Sequence, residues 1–340
     1  MHIIGSILKQ ANRKNSDKLN ILTGPTHERY ESNLTKTGHN FYALSHPSFK
    51  KWNTNFAPVP ENYTILDESK GDKQIPLSVD FDIVLSQNKF GQYQILSQIA
   101  RHYNIPFISL EHTLPMSIWS QEQKEGLRNM RGDVNLFISE YSKGEWGFND
   151  VPNTEVIHHG IDTDIFKPDY SVEKERRILS VCNDWINRDF FCGFSIWQRV
   201  TNGLPVFPVG DTVGLSKPAK DIDELVYFYR KHQIFLNTST VSPIPTSLLE
   251  AMSCGSCVIS TATCMIPEII KNGYNGFISN NEEELRGFLI DCLSNSEKCK
   301  RIGENARKTI VDNFSLSSHL NKWTEIFDKV SKTNTNRRTW

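Results

Sequence analysis

No apolar run in these 340 residues approaches the roughly 20 that a membrane-crossing helix needs, so no helical span is expected. The opening MHIIGSILKQ has only a brief apolar patch, with no basic residue before it and no small-residue cleavage site. A signal peptide is therefore not expected. Cysteine is missing from the entire first half, and all seven lie from Cys182 onward. An odd number in a chain of this size argues against a disulfide framework and for a reducing, cytoplasmic setting. An excess of either charge is lacking as well: 38 basic against 39 acidic residues leave a net charge of −1. That excludes a general attraction to polyanions and leaves only local basic faces open. Around Cys254-x-x-Cys257 there is neither a second cysteine pair nor an adjacent histidine, and Cys257 opens an apolar strand pattern. These two read as buried small hydrophobes rather than zinc ligands.

What is present describes a globular α/β protein. The chain is longer than one hydrophobic core usually serves, so two domains are expected. Short apolar runs at 19–23, 40–45, 83–86, 107–110 and 136–139 fit strands of a sheet covered on both faces, and 178–182, 234–237, 257–260 and 277–279 repeat the pattern. Between them, Ile95, Leu96, Ile99 and Tyr103 recur at helical spacing. Asp221 with Glu224 forms a capping box opening a helix through Tyr229, and 282–293 and 305–311 supply further helices. Two successive βαβ halves predict two Rossmann-like, doubly wound domains that bind ligands at the carboxyl ends of their strands. The charged stretch 167–177 is the expected linker. The expected division is 1–166, 167–315, a closing helix 316–330 returning to the first domain, and a flexible polar tail 331–340.

Residues 242–277, SPIPTSLLEAMSCGSCVISTATCMIPEIIKNGYNGF, concentrate the chemistry. Pro245 and Thr246 break any preceding helix, Ser247 is the expected cap, Glu250 falls at the third helical position and Gly255 ends the helix. One reading makes Ser247-x-x-Glu250 a simple capping box. The other places a phosphate on the helix amides and ribose hydroxyls on the Glu250 carboxylate.

LLEAMSCGSCVIST…IPEIIKNGYNGF resembles the carboxyl-terminal signature of retaining GT-B glycosyltransferases, specifically glycosyltransferase family 4. HHGIDTDIFKP, residues 158–168, is similar to that family's H-G-V-D-x-x-x-F-x-P segment, and IGENARKTIVDNFS, residues 302–315, to its closing helix. The resemblance implies a GT-B fold, two Rossmann-like domains facing a central cleft, and metal-independent transfer from a nucleoside-diphosphate sugar, a UDP-sugar being expected. It implies no further cofactor. Glu250 takes the position that binds the ribose. Ser242 stands where the family has a sugar-binding acid, which leaves the donor sugar open. Asn183 replaces an arginine, and Arg188 stands where a lysine neutralises the diphosphate, a role suited to a bidentate guanidinium. Thr246, Ser247 and Leu248 complete the donor-binding helix start. Gly24 sits where the family has a glycine-rich loop, and His112, in PFISLEHTLP, where a histidine faces the reacting sugar. Arg188 and His112 are the expected catalytic residues.

Three D-x-D pairs, Asp80–Asp82, Asp162–Asp164 and Asp221–Asp223, have structural explanations as a strand entry, a linker turn and a helix cap. A manganese-dependent reading is therefore set aside, and no metal ligand is expected. The stretch THERYESNLTKTGHNFYALSHPSFKKWNTN looks like that of tailed-phage glycosyltransferases, some of which glycosylate 5-hydroxymethylcytosine in DNA. Acceptor contacts are expected from His27, Arg29, Lys51 and Trp52. Basic clusters at Lys50–Lys51–Trp52, Arg128 with Arg131, and Arg337–Arg338 suit phosphate contacts and stacking, though such short clusters are more often solvated surface. The expected partners are thus a nucleotide sugar and a glycan or small-molecule acceptor, with duplex DNA as the alternative. A phage-encoded enzyme would work in the host cytoplasm. A non-transferring sugar-nucleotide binder or epimerase on the same fold is a second alternative, and the oligomeric state is not legible.

Overall fold

A computed structural model of the chain describes residues 17–67 and 79–337, with side chains described through Lys332. Two compact units result: His159–Ser318 forms one, and the residues up to His158 with those from His319 onward form the other. No helix among the described residues is long and apolar enough to cross a membrane.

The first unit holds strands β1 (Asn20–Thr23), β2 (Asn40–Leu44), β3 (Tyr63–Leu66), β4 (Ile83–Ser86), β5 (Phe107–Glu111), β6 (Val134–Phe137) and β7 (Thr154–Val156). They pair in parallel in the order β3-β2-β1-β4-β5-β6-β7. The central strands β4, β5 and β6 are buried at every residue, as a sheet covered on both faces requires. Its helices include α1 (Glu28–Leu34), α2 (Gln92–His102), α3 (Gln121–Arg128) and α4 (Glu140–Glu145).

The second unit contains β8 (Glu175–Val181), α5 (Asp189–Cys192), α6 (Phe194–Thr201), β9 (Val206–Val209), α7 (Ile222–Lys231), β10 (His232–Asn237), α8 (Thr246–Ser253), β11 (Cys257–Ser260), α9 (Ile266–Ile269), β12 (Phe277–Ile278), α10 (Glu282–Ser294) and α11 (Ser296–Asn313). Its parallel sheet runs β12-β11-β10-β8-β9. The order reverses between β8 and β10, so the loops leaving those two strands diverge and open a crevice at their carboxyl ends. Helix α12 (Leu316–Arg337) belongs to the first unit from His319 onward. There its fully buried Trp323 donates from Nε1 to the Tyr30 hydroxyl at 3.0 Å, and Phe327 packs against Phe41.

Three expectations change. The division falls at His158/His159 rather than at 166/167, because residues 163–167 are stapled into the second unit. Arg307 donates to the carbonyls of Thr163 (2.9 Å) and Phe166 (2.6 Å), and Arg230 to that of Lys167 (2.8 Å). The tail is not separate from the closing helix, since α12 continues through 331–337. Strands β3, β7 and β9 went unread because each is half-exposed, and β9 carries Pro208, which a sheet edge tolerates.

Candidate functional site

The crevice of the second unit gathers the donor-binding candidates. Leaving β8, the chain turns at Asp184, whose left-handed φ of 46° is held by its amide donating to Asp211 Oδ1 at 2.6 Å. Trp185 buries its ring beneath the turn and donates from Nε1 to the Cys192 carbonyl at 2.8 Å. That anchor leaves Asn183 and Arg188 exposed at the rim, with Arg188 Nη1 reaching the Asn183 carbonyl at 3.3 Å. Arg188 is not drawn into a pair with Asp189. That carboxylate accepts from the Ser195 amide (2.7 Å) and hydroxyl (2.5 Å), hydrogen bonds that hold it below the usual carboxylate range. Next to Arg188, Phe190 is 58% exposed and offers a flat apolar face on which a base can stack, a feature without a motif in the sequence.

The loop leaving β10 is tied across the crevice to this turn. The amides of Thr240 and Val241 donate to the Phe191 carbonyl at 3.0 and 3.2 Å. Such close approach depends on Gly193, whose φ is +63°; a Cβ there would lie 1.9 Å from the Thr238 carbonyl oxygen. From the β11 side, the Thr261 and Thr263 hydroxyls both donate to the Ser239 carbonyl, at 2.5 and 2.7 Å. Ser242, Thr246 and Ser247 sit half-exposed at the head of α8.

The expected cap is corrected here. Pro245, not Ser247, is the N-cap residue of α8, and no side chain accepts a hydrogen bond there. The proline side chain has no acceptor to offer, so the helix start carries its partial positive charge without an internal carboxylate against it. Glu250 therefore falls at the fifth helical position and not the third, too far along to cap. Its side chain is almost wholly buried and accepts from the Tyr229 hydroxyl at 2.9 Å. Tyr229 lies 21 residues upstream on α7, and no spacing rule connects the two. Leu248 is also corrected: its side chain is fully buried and its amide donates to the Pro245 carbonyl at 3.1 Å, so it presents no side chain to a ligand.

In the first unit, the expected glycine loop is occupied from within. Glu31, buried on α1, accepts from the amides of Thr26 (2.6 Å) and His27 (2.8 Å) and from the Tyr63 hydroxyl. Gln92 Nε2 donates to the Gly24 and Pro25 carbonyls, each at 3.0 Å. Gly24 thus serves the packing of the loop, a Cβ there lying 2.8 Å from the Phe49 ring, while an internal carboxylate already holds two amides of the following turn. His112 follows β5, its ring edge-on to Tyr30 at 4.6 Å. Burial, then His27 and His319, lower its pKa to about 3, so the ring is neutral at neutral pH. The preceding Glu111, itself buried, accepts from the amides of Lys89 (3.0 Å) and Thr113 (2.8 Å), locking the loops after β4 and β5 together.

The acceptor candidates are dispersed in role. His27 and Lys51 are exposed and Arg29 is half-buried. Trp52 is turned inward, donating to the Ala57 carbonyl at 2.8 Å and packing on Tyr63 at 4.8 Å, and Lys50 pairs with the buried Glu28 at 2.7 Å. In the expected basic-aromatic platform the Trp52 ring is thus engaged in packing, while the Lys50 side chain stays 47% exposed and Lys51 is exposed. Arg128 reaches the Glu145 carbonyl and Arg131 lies over Phe148, while the side chains of Arg337 and Arg338 lie outside the described residues. One aspartate of each D-x-D pair is engaged within the chain: Asp82 accepts from the Asn20 amide on the neighbouring strand, Asp162 from the nearby amides of Asp164 and Ile165, and Asp221 from that of Glu224.

Two parallel, doubly wound sheets, one carrying an uncapped helix start and a rim arginine on the loops at its switch point, define an α/β protein of the GT-B glycosyltransferase type. Residues 213–309 match the family of glycosyl transferases group 1. An uncharacterized glycosyltransferase of Methanocaldococcus jannaschii is 31% identical over 263 residues, covering 72% of this chain and 74% of that protein. The chain belongs to the group 1 glycosyltransferases. Spore coat protein SA of Bacillus subtilis is 29% identical over 114 residues, 32% of this chain and 29% of that protein. Among solved structures, Anabaena HepE in complex with UDP shares the fold with a TM-score of 0.73 at 15% identity, covering 92% of this chain and all of that one. Sucrose-phosphate synthase from Thermosynechococcus elongatus follows at 0.71 and 11%, covering 93% and 100%.

Proposed function

We propose that this glycosyltransferase moves a sugar from a nucleoside diphosphate to the hydroxyl of a glycan or small molecule, with retention at the anomeric carbon. The bond from that carbon to the diphosphate breaks, a bond to the acceptor oxygen forms, and the acceptor proton passes to the departing diphosphate. The observation that carries the reading is the placement of Arg188 on the loop leaving β8 and of the side-chain-free start of α8, the helix that carries Glu250, on the loop leaving β10, the two strands of the topological switch point. Charge developing on the leaving diphosphate would meet fixed donors there, without a dedicated metal. Glu250 would accept from the ribose, and Ser242 would offer a hydroxyl to the sugar. UDP is the nucleotide to test first, since HepE, which shares this fold, was crystallised with UDP and with UDP-glucose.

A glycan or small acceptor is favoured over DNA because the Trp52 ring, central to a stacking platform, packs on Tyr63 and the Lys50 ammonium is paired with the buried Glu28. The test is incubation with UDP-, GDP-, ADP-, CDP- and dTDP-sugars against an acceptor panel that includes hydroxymethylcytosine duplexes. Free nucleoside diphosphate is measured, and the product anomer is read by NMR. Retention with a carbohydrate acceptor is expected. An inverted anomer, or transfer to the duplex alone, would replace this reading.

A further inference from the structure

Three of the seven cysteines meet at one point that the transfer reaction does not use. Cys257 opens β11, Cys292 lies in the last turn of α10 and Cys299 in the first turn of α11, the two helices being separated by Asn295 alone. Their sulfurs all lie within 4.8 Å of one another, with Cys257 and Cys292 at 3.8 Å. All three are free thiols, at most 1% exposed, in a core that includes Ile259, Phe277, Leu285, Leu289 and Ile302. Cys254, the sequence neighbour that suggests a C-x-x-C pair with Cys257, is not a member of the cluster.

We propose that Cys257, Cys292 and Cys299 form a three-coordinate thiolate site for a soft monovalent cation, Cu(I). Metal–thiolate bonds of about 2.3 Å around a trigonal centre place the sulfurs about 4 Å apart, close to the arrangement already present. The donor set selects the ion. Thiolates favour Cu(I) and zinc over hard cations, but zinc in a closed structural site takes four ligands. Among the described residues the cluster offers three sulfurs and no fourth His, Cys, Asp or Glu donor. Positive charge also lies near: Lys298 interacts electrostatically with Cys292 and Cys257, and Lys174 with Cys257 and Cys299. Asp291 holds Lys298 at 2.5 Å across the helix junction. Binding exchanges S–H bonds for Cu–S bonds and releases up to three protons to solvent, with no change of oxidation state.

The experiment is anaerobic titration of the full chain with Cu(I) against bathocuproine disulfonate, followed by X-ray absorption on the loaded protein. One Cu(I) retained per chain, with three sulfur neighbours, is the expected result. C257A, C292A and C299A should each lose it at least tenfold more readily, while the C182A/C264A double variant retains it. No retention by the wild type, fewer than three sulfur neighbours, or retention unaltered in C299A would reduce the cluster to core packing. If the alanine variants fail to fold by circular dichroism, the sulfur coordination number in the wild type decides alone.

Discussion

Glu250 offers the sharpest test, because its hydrogen bond to Tyr229 and its proposed ribose contact can be separated. Its carboxylate accepts from the Tyr229 hydroxyl inside the second unit, where Tyr229 is fully buried. Glu250→Ala removes that acceptor, which should destabilise the unit by about 1–3 kcal/mol, or roughly 2–4 °C of Tm per kcal/mol. If the carboxylate also receives ribose hydroxyls, the substitution loses a further charge-assisted contact of about 1.5–3 kcal/mol, a rise in Kd of roughly 10- to 150-fold. Tyr229→Phe provides the comparison: it deletes the same internal hydrogen bond but leaves the carboxylate in place. Calorimetric titration with the best-bound nucleoside diphosphate should therefore show a large loss for Glu250→Ala and less than about a threefold change for Tyr229→Phe. Thermal unfolding should show both variants destabilised. Equal Kd values in wild type and Glu250→Ala, or equal losses in the two variants, would refute a ribose contact and leave Glu250 a purely structural acid.

Arg188→Ala should raise the same Kd by about 10- to 150-fold with little change in Tm, since the residue is exposed and its bond to Asn183 is long. Arg188→Lys should recover part of the affinity, and wild-type binding by the alanine variant would remove Arg188 from the site. Gly193→Ala should cost at least about 2 kcal/mol in urea unfolding, combining a left-handed φ with a clash on Thr238; a neutral result would show that the crevice loops can separate freely. Acid should weaken the first unit. Burial lowers the pKa of His319 to about 4 and of His112 to about 3, against about 6.5 when unfolded. The unfolded chain then binds more protons below pH 6.5, so stability present above that pH is lost as pH falls. The loss should reach about 2 kcal/mol at pH 5 for the nearly buried His319, and urea midpoints at pH 7.5 and 5 should show it. His319→Gln should flatten the dependence, and an unchanged slope in that variant would reassign it.

Residues near the centre of each sheet were legible, and those at the edges were not. Runs such as 83–86 and 257–260 are buried on both faces and therefore continuously apolar, so pattern alone locates them. Strands β3, β7 and β9 face solvent in part, and their mixed composition resembles loop. The capping error at Ser247 has a similar origin. Ser-x-x-Glu is a sound local signature, but here the helix begins two residues earlier because Pro245 closes the preceding loop, and Glu250 is drawn inward by Tyr229.

The sequence by itself determined the α/β class, the two repeating halves, the family resemblance, and Glu250 and Arg188 as the residues of interest. These follow from local signals: apolar periodicity, turn residues and short motifs whose members are close along the chain. Tertiary structure decided what those residues face. It separated Arg188 from Asp189, filled the amides after Gly24 with Glu31, turned Trp52 inward, and brought Cys257, Cys292 and Cys299 together. Each outcome depends on partners drawn from different elements, which only the packing of sheet and helices brings within reach.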